Sequence, residues 1–359
     1  MNKLYILHEF GSNSHYRALS WASKKYEAFD IEYREFSVVR KSAKAFLHGN
    51  FALFRKQFIN AFFIISLLFT KGKKVIVGIA PYDWRLILYY PLLKRHTYYY
   101  HTSKTTWGYQ NYSKKFLAHS QLSKRVWKKF IEGANGVFCV TEKTVSELNK
   151  YYQVKNIHVV NHAIPQEYKI NSINFSSSLR PLKCLFVGRL ETCKGLEVIF
   201  DLVRELDPAL FDFSFIGDGE MTEQVKLFAS ENENCNYLGM LKNPELMAQY
   251  DMNDILLAPS IKTGPWEELF GMVLIEAMSR GVVPIATDHS GPKEIIENSK
   301  TGFIFNEDQY LLSTLEILRN ISNERLKLVD LKKQAFTSGQ SYTPDQIFKK
   351  WNTLLQIKV

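Results

Sequence analysis

One stretch, Glu267–Pro284, restricts the possible folds more than any other part of the chain. It reads as a tight loop, EELFG, that leads directly into the helix MVLIEAMSR, and Gly281 ends that helix. The helix is apolar on nearly all sides, and a helix of this kind belongs in the interior of a protein. The stretch therefore predicts a buried helix whose first turn follows a tight loop.

Two carboxylates flank the start of this helix. Glu276 lies within the apolar helix and Glu268 stands eight positions earlier, in the loop. A buried carboxylate is costly without a partner, so Glu276 needs hydroxyl or N–H donors. Between the two carboxylates, the helix start offers backbone N–H groups and the positive end of the helix dipole, which attract anions. This arrangement fits a nucleotide-sugar, which has hydroxyls at both ends and a diphosphate between them.

The length and the charge distribution both indicate two domains. At 359 residues, the chain is too long for one ordinary domain. Residues 1–165 hold 26 Lys and Arg against 9 Asp and Glu, a balance of +17. Residues 166–359 hold 20 against 27, a balance of −7. Such a difference predicts that the two halves face different partners.

The cysteines and the apolar runs suggest a compartment. Cys139, Cys184, Cys193 and Cys235 form no CxxC pair, which is typical of the reducing cytosol. No secretory signal opens the chain, and the longest apolar run, Ala61–Phe69, is about half as long as a membrane span. We therefore expect a cytoplasmic protein without a transmembrane segment.

Strand and helix patterns alternate twice along the chain, and one long helix is predicted over Ala43–Thr70. A polar linker, Pro165–Pro181, separates the two series. Alternation of this kind predicts parallel sheets covered on both faces, with ligands at the carboxyl ends of the strands. The predicted fold class is α/β, with two tandem Rossmann-like, doubly wound domains at residues 1–165 and 166–342. A last helix within 343–359 is expected to pack back on the first domain.

Six motifs of the second half carry a resemblance to a known family. They are VGRLETCKG (Val187–Gly195), IGDGE (Ile216–Glu220), LAPS (Leu257–Ser260), EELFGMVLIEAMSRGVVPIA, SGPKEII (Ser290–Ile296) and TGFIF. In this order they resemble the nucleotide-sugar domain of glycosyltransferase family 4, retaining enzymes of the GT-B fold, of the bacterial surface-polysaccharide type. The resemblance covers about Cys184–Phe305 closely and the first half only in outline. It implies an acceptor-binding first domain, a nucleotide-sugar-binding second domain and an interdomain cleft.

The resemblance assigns roles to residues at matching positions around the buried helix. It implies that Glu268 contacts hydroxyls of the donor sugar and that Glu276 holds the ribose hydroxyls of the nucleotide. It also implies that the backbone amides of Phe270, Gly271 and Met272 take phosphate oxygens. These five residues form the predicted donor clamp.

Cations and glycine-rich turns extend the predicted site. Arg189 and Lys194 follow a strand end, where two cations fit a diphosphate and offset charge on the leaving group. The resemblance implies that role for both. It also implies that Gly217 lies near the nucleotide and that Gly11 belongs to the glycine-rich loop after the first strand. His101, at the end of TYYYH, matches a histidine near acceptor and donor; a satisfied core histidine is the alternative.

The function implied by the resemblance is retaining transfer of a sugar, of the hexosyltransferase type. The donor would be a UDP- or GDP-sugar, and the acceptor a hydroxyl of a saccharide, in particular a lipid-linked saccharide in cell-surface polysaccharide synthesis. No metal and no other cofactor are expected, because Arg189, Lys194 and the helix dipole would neutralise the diphosphate. No DxD-type carboxylate pair stands at a strand end.

The basic first half interleaves Lys and Arg with aromatic residues, as in KRVWKKF (Lys124–Phe130). This pattern favours peripheral docking on an anionic membrane surface, with a solvated basic face as the alternative. Nucleic acid is not expected as a partner, because no recognition module occurs. Two other functions stay open at this point. One is a GT-B nucleotide-sugar 2-epimerase, and the other is a non-enzymatic membrane- or nucleic-acid-binding protein.

Overall fold

The computed structural model describes residues 2–9, 14–36, 38–108, 120–173, 181–264 and 266–358. The chain divides into two compact units. The first unit consists of residues 1–163 and 344–359, and the second consists of residues 164–343. Each unit contains one six-stranded sheet, and every strand pair within the two sheets is parallel.

The first unit is built on six strands and seven helices within the described residues. Its strands are β1 (Asn2–His8), β2 (Phe29–Glu35), β3 (Lys74–Gly78), β4 (Thr97–Thr102), β5 (Gly136–Cys139) and β6 (Ile157–Val159). Its helices are α1 (Arg17–Tyr26), α2 (Val38–Leu47), α3 (Phe51–Phe69), α4 (Arg85–Leu93), α5 (Gln121–Glu132), α6 (Glu142–Asn149) and α14 (Pro344–Leu355). The strand order is β2-β1-β3-β4-β5-β6, so the topological switch point lies between β1 and β3.

The second unit repeats this plan. Its strands are β7 (Leu182–Val187), β8 (Phe211–Ile216), β9 (Cys235–Tyr237), β10 (Ile255–Ala258), β11 (Val283–Thr287) and β12 (Phe303–Phe305). Its helices are α7 (Leu196–Glu205), α8 (Thr222–Glu231), α9 (Glu245–Met252), α10 (Met272–Ser279), α11 (Ser290–Ile295), α12 (Tyr310–Asn323) and α13 (Arg325–Gly339). The order β12-β11-β10-β7-β8-β9 places the switch point between β7 and β10.

Both sheets confirm the predicted fold class, two Rossmann-like α/β domains. Most residues of the central strands of the second sheet are buried, and Leu185, Leu256 and Ile285 have no exposed surface. A parallel sheet covered on both faces demands such continuously apolar strands. The buried helix predicted from the sequence is α10, where Leu274, Ile275, Ala277 and Met278 lie in the interior.

The single helix predicted over Ala43–Thr70 is wrong, because the chain divides it into α2 and α3. Gly49 has a φ of +60°, a left-handed conformation that ends α2. The side chain of Asn50 then accepts a hydrogen bond of 2.9 Å from the N–H of Leu53 and caps the first turn of α3. The result is a separate helix of 19 residues that packs against α2.

Helix α14 packs on the first sheet although it follows the second unit in the chain. Trp351 is buried, and its ring centroid lies 4.4 Å from that of Phe138 and 5.1 Å from that of His101. Ile347 and Leu355 are also buried. The apolar stripe of this helix therefore completes the core of the first unit.

Candidate active site

The loop after β7 brings Lys194 to the switch point of the second sheet. A short 3-10 turn, Thr192–Lys194, ends at Gly195, which has a φ of +71° and begins α7. A Cβ atom on Gly195 would lie 1.9 Å from the carbonyl oxygen of Pro259, just beyond β10. Only glycine permits this close approach of two backbones, which fixes the loop against the end of β10.

Lys194 and Glu268, both predicted from the sequence, lie in direct contact. The Nζ atom of Lys194 is 2.5 Å from Oε2 of Glu268, and the two side chains are 17% and 24% exposed. The same Nζ atom lies 4.9 Å from the centre of the Trp266 ring, within the range of a cation–π interaction. The ammonium group is thus held in a partly buried position at the carboxyl edge of the sheet.

The start of α10 borders the same place. Gly271 caps this helix with a φ of +92°, and the preceding Phe270 is buried. A hollow at the switch point is lined by Lys194, Glu268, Gly271, Ser260, Leu257 and Val273, among others. Helix starts present backbone N–H groups and a positive dipole to anions. A cation, a carboxylate and a helix start therefore meet at one hollow.

His289, which is not among the predicted site residues, fixes the backbone of this loop. His289 is fully buried, and its Nδ1 atom accepts a hydrogen bond of 3.0 Å from the N–H of Glu268. Since Nδ1 accepts, the ring proton resides on Nε2, which lies 2.9 Å from a carboxylate oxygen of Glu307. His289 comes two residues after the end of β11. Ligand sites of parallel sheets lie at the carboxyl ends of the strands, so this position could have been predicted from the sequence.

Two further contacts hold the loop before α10 in place. A Cβ atom on Gly291 would lie 2.4 Å from backbone atoms of Phe270, so glycine is required there. The side chain of Glu267 accepts a hydrogen bond of 2.8 Å from the hydroxyl of Ser290. The first two residues of the SGPKEII motif, Ser290 and Gly291, therefore hold the EELFG loop in position.

Glu276 lies partly buried on α10 and has a protein partner. The hydroxyl of Tyr250, on α9, donates a long hydrogen bond of 3.5 Å to its carboxylate. Tyr250 is fully buried, and the pKa of its phenol is raised well above the ordinary value. The larger cause is burial, and the smaller is the negative charge of Glu276. This contact supplies the hydroxyl donor that the position demands, and contact between Glu276 and a ribose stays a prediction.

Two other predicted residues, Arg189 and Gly217, are not part of this cluster. Arg189 is 61% exposed and forms an ion pair with the nearby Glu191. Gly217 has a φ of +146°, and a Cβ atom there would lie 1.8 Å from the carbonyl oxygen of Gly188, so it serves close packing of two loops. Gly11 lies outside the residues that the structure describes. Binding roles for these residues stay predictions.

His101 belongs to a group of four histidines in the first unit. It is buried, and its Nδ1 atom lies 3.2 Å from the hydroxyl of Tyr16; within the described part of the chain its Nε2 atom has no hydrogen-bond partner. The ring of His15 stacks on that of His162 with centroids 4.6 Å apart, and lies 6.2 Å from that of His101 and 5.8 Å from that of His8. Burial lowers the pKa of His8 to about 4 and that of His162 to about 3. These imidazoles are therefore neutral near pH 7.

Because of these buried histidines, we expect the free energy of unfolding of the first unit to fall in acid. The folded pKa values of His8 and His162 lie below the ordinary value of 6.5, so the unfolded chain binds more protons below that pH. The stability is fully present above about pH 6.5 and falls by about 1.4 kcal/mol per pH unit for each group as the pH drops towards 4. Urea unfolding at pH 7, 6 and 5 would measure this slope. Tryptophan fluorescence reports mainly on the first unit, which holds five of the six tryptophans.

Two variants test the assignment of this slope. His162→Gln removes one buried imidazole, and we expect a shallower dependence of the unfolding free energy on pH. His158→Gln, which changes an exposed histidine of the same sheet, is the control and should leave the slope unchanged. Equal slopes in all three proteins would contradict the assignment to the buried group.

Comparison with known proteins extends these observations. Residues 169–336 match the family model described as "Glycosyl transferases group 1". An uncharacterized 41.2 kDa protein in the cps region of Klebsiella pneumoniae is 35% identical over 35% of this chain and 33% of its own length. The amylovoran biosynthesis glycosyltransferase AmsD of Erwinia amylovora is 27% identical over 64% of this chain and 65% of its own length. The chain thus spans between about a third and two thirds of the length of these curated relatives.

Solved structures share the fold over nearly the whole chain. Anabaena Alr3699/HepE, in complex with UDP, superimposes with a TM-score of 0.69 at 15% identity, covering 99% of this chain and 100% of that one. A glycosyltransferase from Rickettsia africae ESF-5 gives a TM-score of 0.70 at 14% identity, with 99% of each chain covered. These likenesses agree with the two Rossmann-like domains described above.

Proposed function

We propose that the chain, whose residues 169–336 match the family model of glycosyl transferases group 1, is a retaining glycosyltransferase of surface-polysaccharide synthesis. It moves a sugar from a nucleotide-diphosphate sugar to a hydroxyl of an acceptor. The observation that carries the proposal is the contact of 2.5 Å between Lys194 and Glu268 beside the start of α10. This contact supports the proposal, because a cation and a carboxylate beside a helix start that attracts anions suit the charges and hydroxyls of a nucleotide-sugar.

The proposed roles follow from the chemistry of each group. The start of α10, at Phe270, Gly271 and Met272, binds the diphosphate, and Lys194 offsets the negative charge that grows on it. Glu268 accepts hydrogen bonds from hydroxyls of the donor sugar, and its backbone is held by the buried His289. In the second unit, Glu276 binds the ribose hydroxyls. Among the predicted cations, Arg189 assists only if it leaves its ion pair with Glu191.

The reaction exchanges one bond to the anomeric carbon for another. The bond from this carbon to the β-phosphate oxygen breaks, and the acceptor oxygen bonds to the carbon on the same face of the sugar. The proton of the acceptor hydroxyl passes to the leaving diphosphate. The acceptor binds to the first unit. His101 is the residue of this unit that we propose contacts the substrates, because the Nε2 atom of His101 is buried without a hydrogen bond among the described residues.

Uridine diphosphate is the first donor nucleotide to test, with guanosine diphosphate as the second. The support for uridine is the likeness in fold to Alr3699/HepE, which was solved with UDP. We further propose a lipid-linked saccharide as the acceptor and a peripheral position on the cytoplasmic face of the membrane. Supporting this location, residues 1–165 carry a charge of +17, which attracts anionic lipids.

Nucleotide binding is the first test of this function. In a thermal-shift panel of UDP, GDP, ADP and CMP, we expect one diphosphate, UDP or GDP, to raise the Tm of the protein. Glu276→Ala should weaken that nucleotide by about 10- to 100-fold, because hydrogen bonds to a charged group are lost. Glu233→Ala, which removes an exposed carboxylate of the same unit, is the control and should bind normally. Stabilisation by none of the four nucleotides would overturn the proposal.

The stereochemistry of the product is the second measurement. With the donor identified, proton NMR of the product should show the anomeric configuration of the donor. The opposite configuration would contradict the retaining reaction. Incubation of the nucleotide-sugar without an acceptor should leave carbon 2 unchanged, and inversion at that carbon would instead identify an epimerase.

A further inference from the structure

Helix α3 has an inverted distribution of polar and apolar side chains. Its buried face begins with two amides, Gln57 at 0% exposure and Asn60 at 2%, before Phe63 and Leu67. Its outer face carries large apolar side chains at intervals of three or four residues. They are Phe51 (87% exposed), Phe54 (44%), Phe58 (68%), Phe62 (68%), Ile65 (51%) and Phe69 (81%), which we call the outer stripe. A surface helix of a globular protein normally shows the reverse pattern.

The buried amides explain why the outer stripe cannot turn inward. Gln57 donates a hydrogen bond of 3.2 Å to the carboxylate of Glu35, a residue of β2 that is only 3% exposed. Lys41 and Lys56 also pair with this carboxylate, at 2.6 Å and 2.7 Å. Rotation of α3 would take Gln57 and Lys56 away from the buried Glu35 and leave it only Lys41 of α2 among these partners, which is unfavourable. The contacts therefore fix the helix along the surface with its outer stripe facing away from the sheet.

Neighbouring elements enlarge the apolar surface. Helix α2 packs on α3 and ends with Phe46 and Leu47, which are each 79% exposed. On α4, which also packs on α3, Leu88 is 61% exposed. Exposed apolar surface of this extent marks a site of interaction with a protein or a membrane.

The positive charge around α3 favours a lipid membrane over a protein as the partner of the outer stripe. No acidic residue occurs between Glu35 and Asp83, whereas eight Lys and Arg do. Arg55 and Lys56 are exposed on α3 itself, and Lys71 follows its end. An apolar stripe on a helix with basic neighbours complements the acyl chains and the anionic headgroups of a lipid bilayer.

The length of α3 raises the question of whether it spans the bilayer or lies in its surface. Within the described residues, α3 is the one helix long and apolar enough to cross a membrane, and 22% of its apolar window is buried in the protein. A spanning helix would have to leave Glu35, Tyr5 and the rest of the first unit. Instead, Phe63 stacks on Tyr5 with ring centroids 4.7 Å apart. The geometry therefore favours a helix that lies parallel to the membrane surface.

We propose that α3 docks the first unit on an anionic lipid bilayer, with the outer stripe inserted at the boundary between headgroups and acyl chains. Arg55 and Lys71 contact the anionic headgroups, whereas Lys56 keeps its ion pair with Glu35. This proposal rests on the proposed function, which places the protein at a membrane, and adds that one helix makes the contact. It is tested separately from catalysis because nucleotide binding belongs to the second unit.

Vesicle flotation with the full chain tests the proposal. We expect binding to vesicles of phosphatidylcholine and phosphatidylglycerol at least about tenfold stronger than binding to phosphatidylcholine alone. Phe58→Ser combined with Phe62→Ser should weaken binding to the anionic vesicles by at least about tenfold. Both phenylalanines are 68% exposed, so the fold should persist, and the Tm and the nucleotide-induced shift in Tm of the variant would verify this.

The control changes equally exposed apolar residues of the second unit. Leu312 and Leu326 are 72% and 76% exposed, and Leu312→Ser combined with Leu326→Ser should bind vesicles as the original chain does. Equal binding by the phenylalanine variant, or an equal loss in the leucine variant, would overturn the proposal. So would absent binding of the original chain to anionic vesicles. A dimer in solution that the phenylalanine variant converts to a monomer, without vesicle binding, would assign the stripe to a second copy instead.

Discussion

Replacement of Lys194 by alanine is expected to lower the kcat of sugar transfer by about 100- to 1,000-fold, as when one preorganised group that stabilises developing charge is removed. In the proposed reaction, the leaving nucleoside diphosphate gains negative charge as its bond to the sugar breaks. The Nζ atom of Lys194 is held 2.5 Å from Glu268 and 4.9 Å from the centre of the Trp266 ring. Its charge is therefore preorganised and only weakly screened by solvent. Steady-state kinetics with the donor identified by nucleotide binding would measure the loss.

Two variants separate this effect from a general loss of charge. Lys300→Ala is the matched control, because Lys300 also pairs with a glutamate, Glu297, at 2.9 Å but is 56% exposed. Its kcat should be unchanged. Lys194→Arg retains the charge and should recover part of the activity. A raised KM with an unaltered kcat in Lys194→Ala would show equal binding of ground state and transition state, and would contradict the proposed role.

Gly195→Ala is expected to destabilise the second unit by about 2–5 kcal/mol, through a strained left-handed backbone and overpacking. The new Cβ atom would meet the carbonyl oxygen of Pro259 at 1.9 Å, and neither backbone can move without disturbing the ends of β7 and β10. Hydrogen exchange of peptides from β7 and α7, followed by mass spectrometry, would report the stability of this unit alone. Nucleotide binding should weaken in parallel, because the loop carries Lys194.

Gly239 is a matched control for the backbone strain. Its φ of +70° equals that of Gly195 within a degree, but nothing lies within 4 Å of the position of a Cβ atom. Gly239→Ala should therefore cost only about 1–2 kcal/mol, the strain of the left-handed conformation itself. Equal losses in the two variants would show that backbone conformation, and not the contact with Pro259, decides the stability of the loop.

The sequence predicted best those elements whose residues determine their own local structure. Helix α10 follows from a nearly continuous apolar pattern, interrupted by Glu276, and from the glycines at its two ends, and the structure has it at Met272–Ser279. Lys194 and Glu268 are 74 positions apart, but both lie at carboxyl ends of strands or in the loops that follow. Lys194 was indicated by its position after a strand end, and Glu268 by its position just before the start of the buried helix, without knowledge of the distance between them.

The sequence predicted less where the choice of a side-chain partner decides the outcome. Arg189 lies in the same loop as Lys194, yet it pairs with Glu191, a local partner that strand-end patterns do not reveal. From the sequence, Gln57 would be expected on the surface. In the structure it is buried because it donates a hydrogen bond to Glu35, 22 positions away. For the same reason, the apolar run of α3 gave no indication of which face points outward. His289 follows a strand end, so the strand-end rule could have indicated its position, but its hydrogen bond to the backbone N–H of Glu268 leaves no pattern in the sequence.

The position of α14 has a consequence for the order in which the chain matures. Trp351 completes the core around Phe138 and His101, although all of the second unit lies between them in the chain. During synthesis, every strand of the second sheet leaves the ribosome before this helix does. The second unit therefore has its whole sequence available first, and the first unit closes its core only after its neighbour has been made. The part of the chain that is translated first is thus the last to become complete.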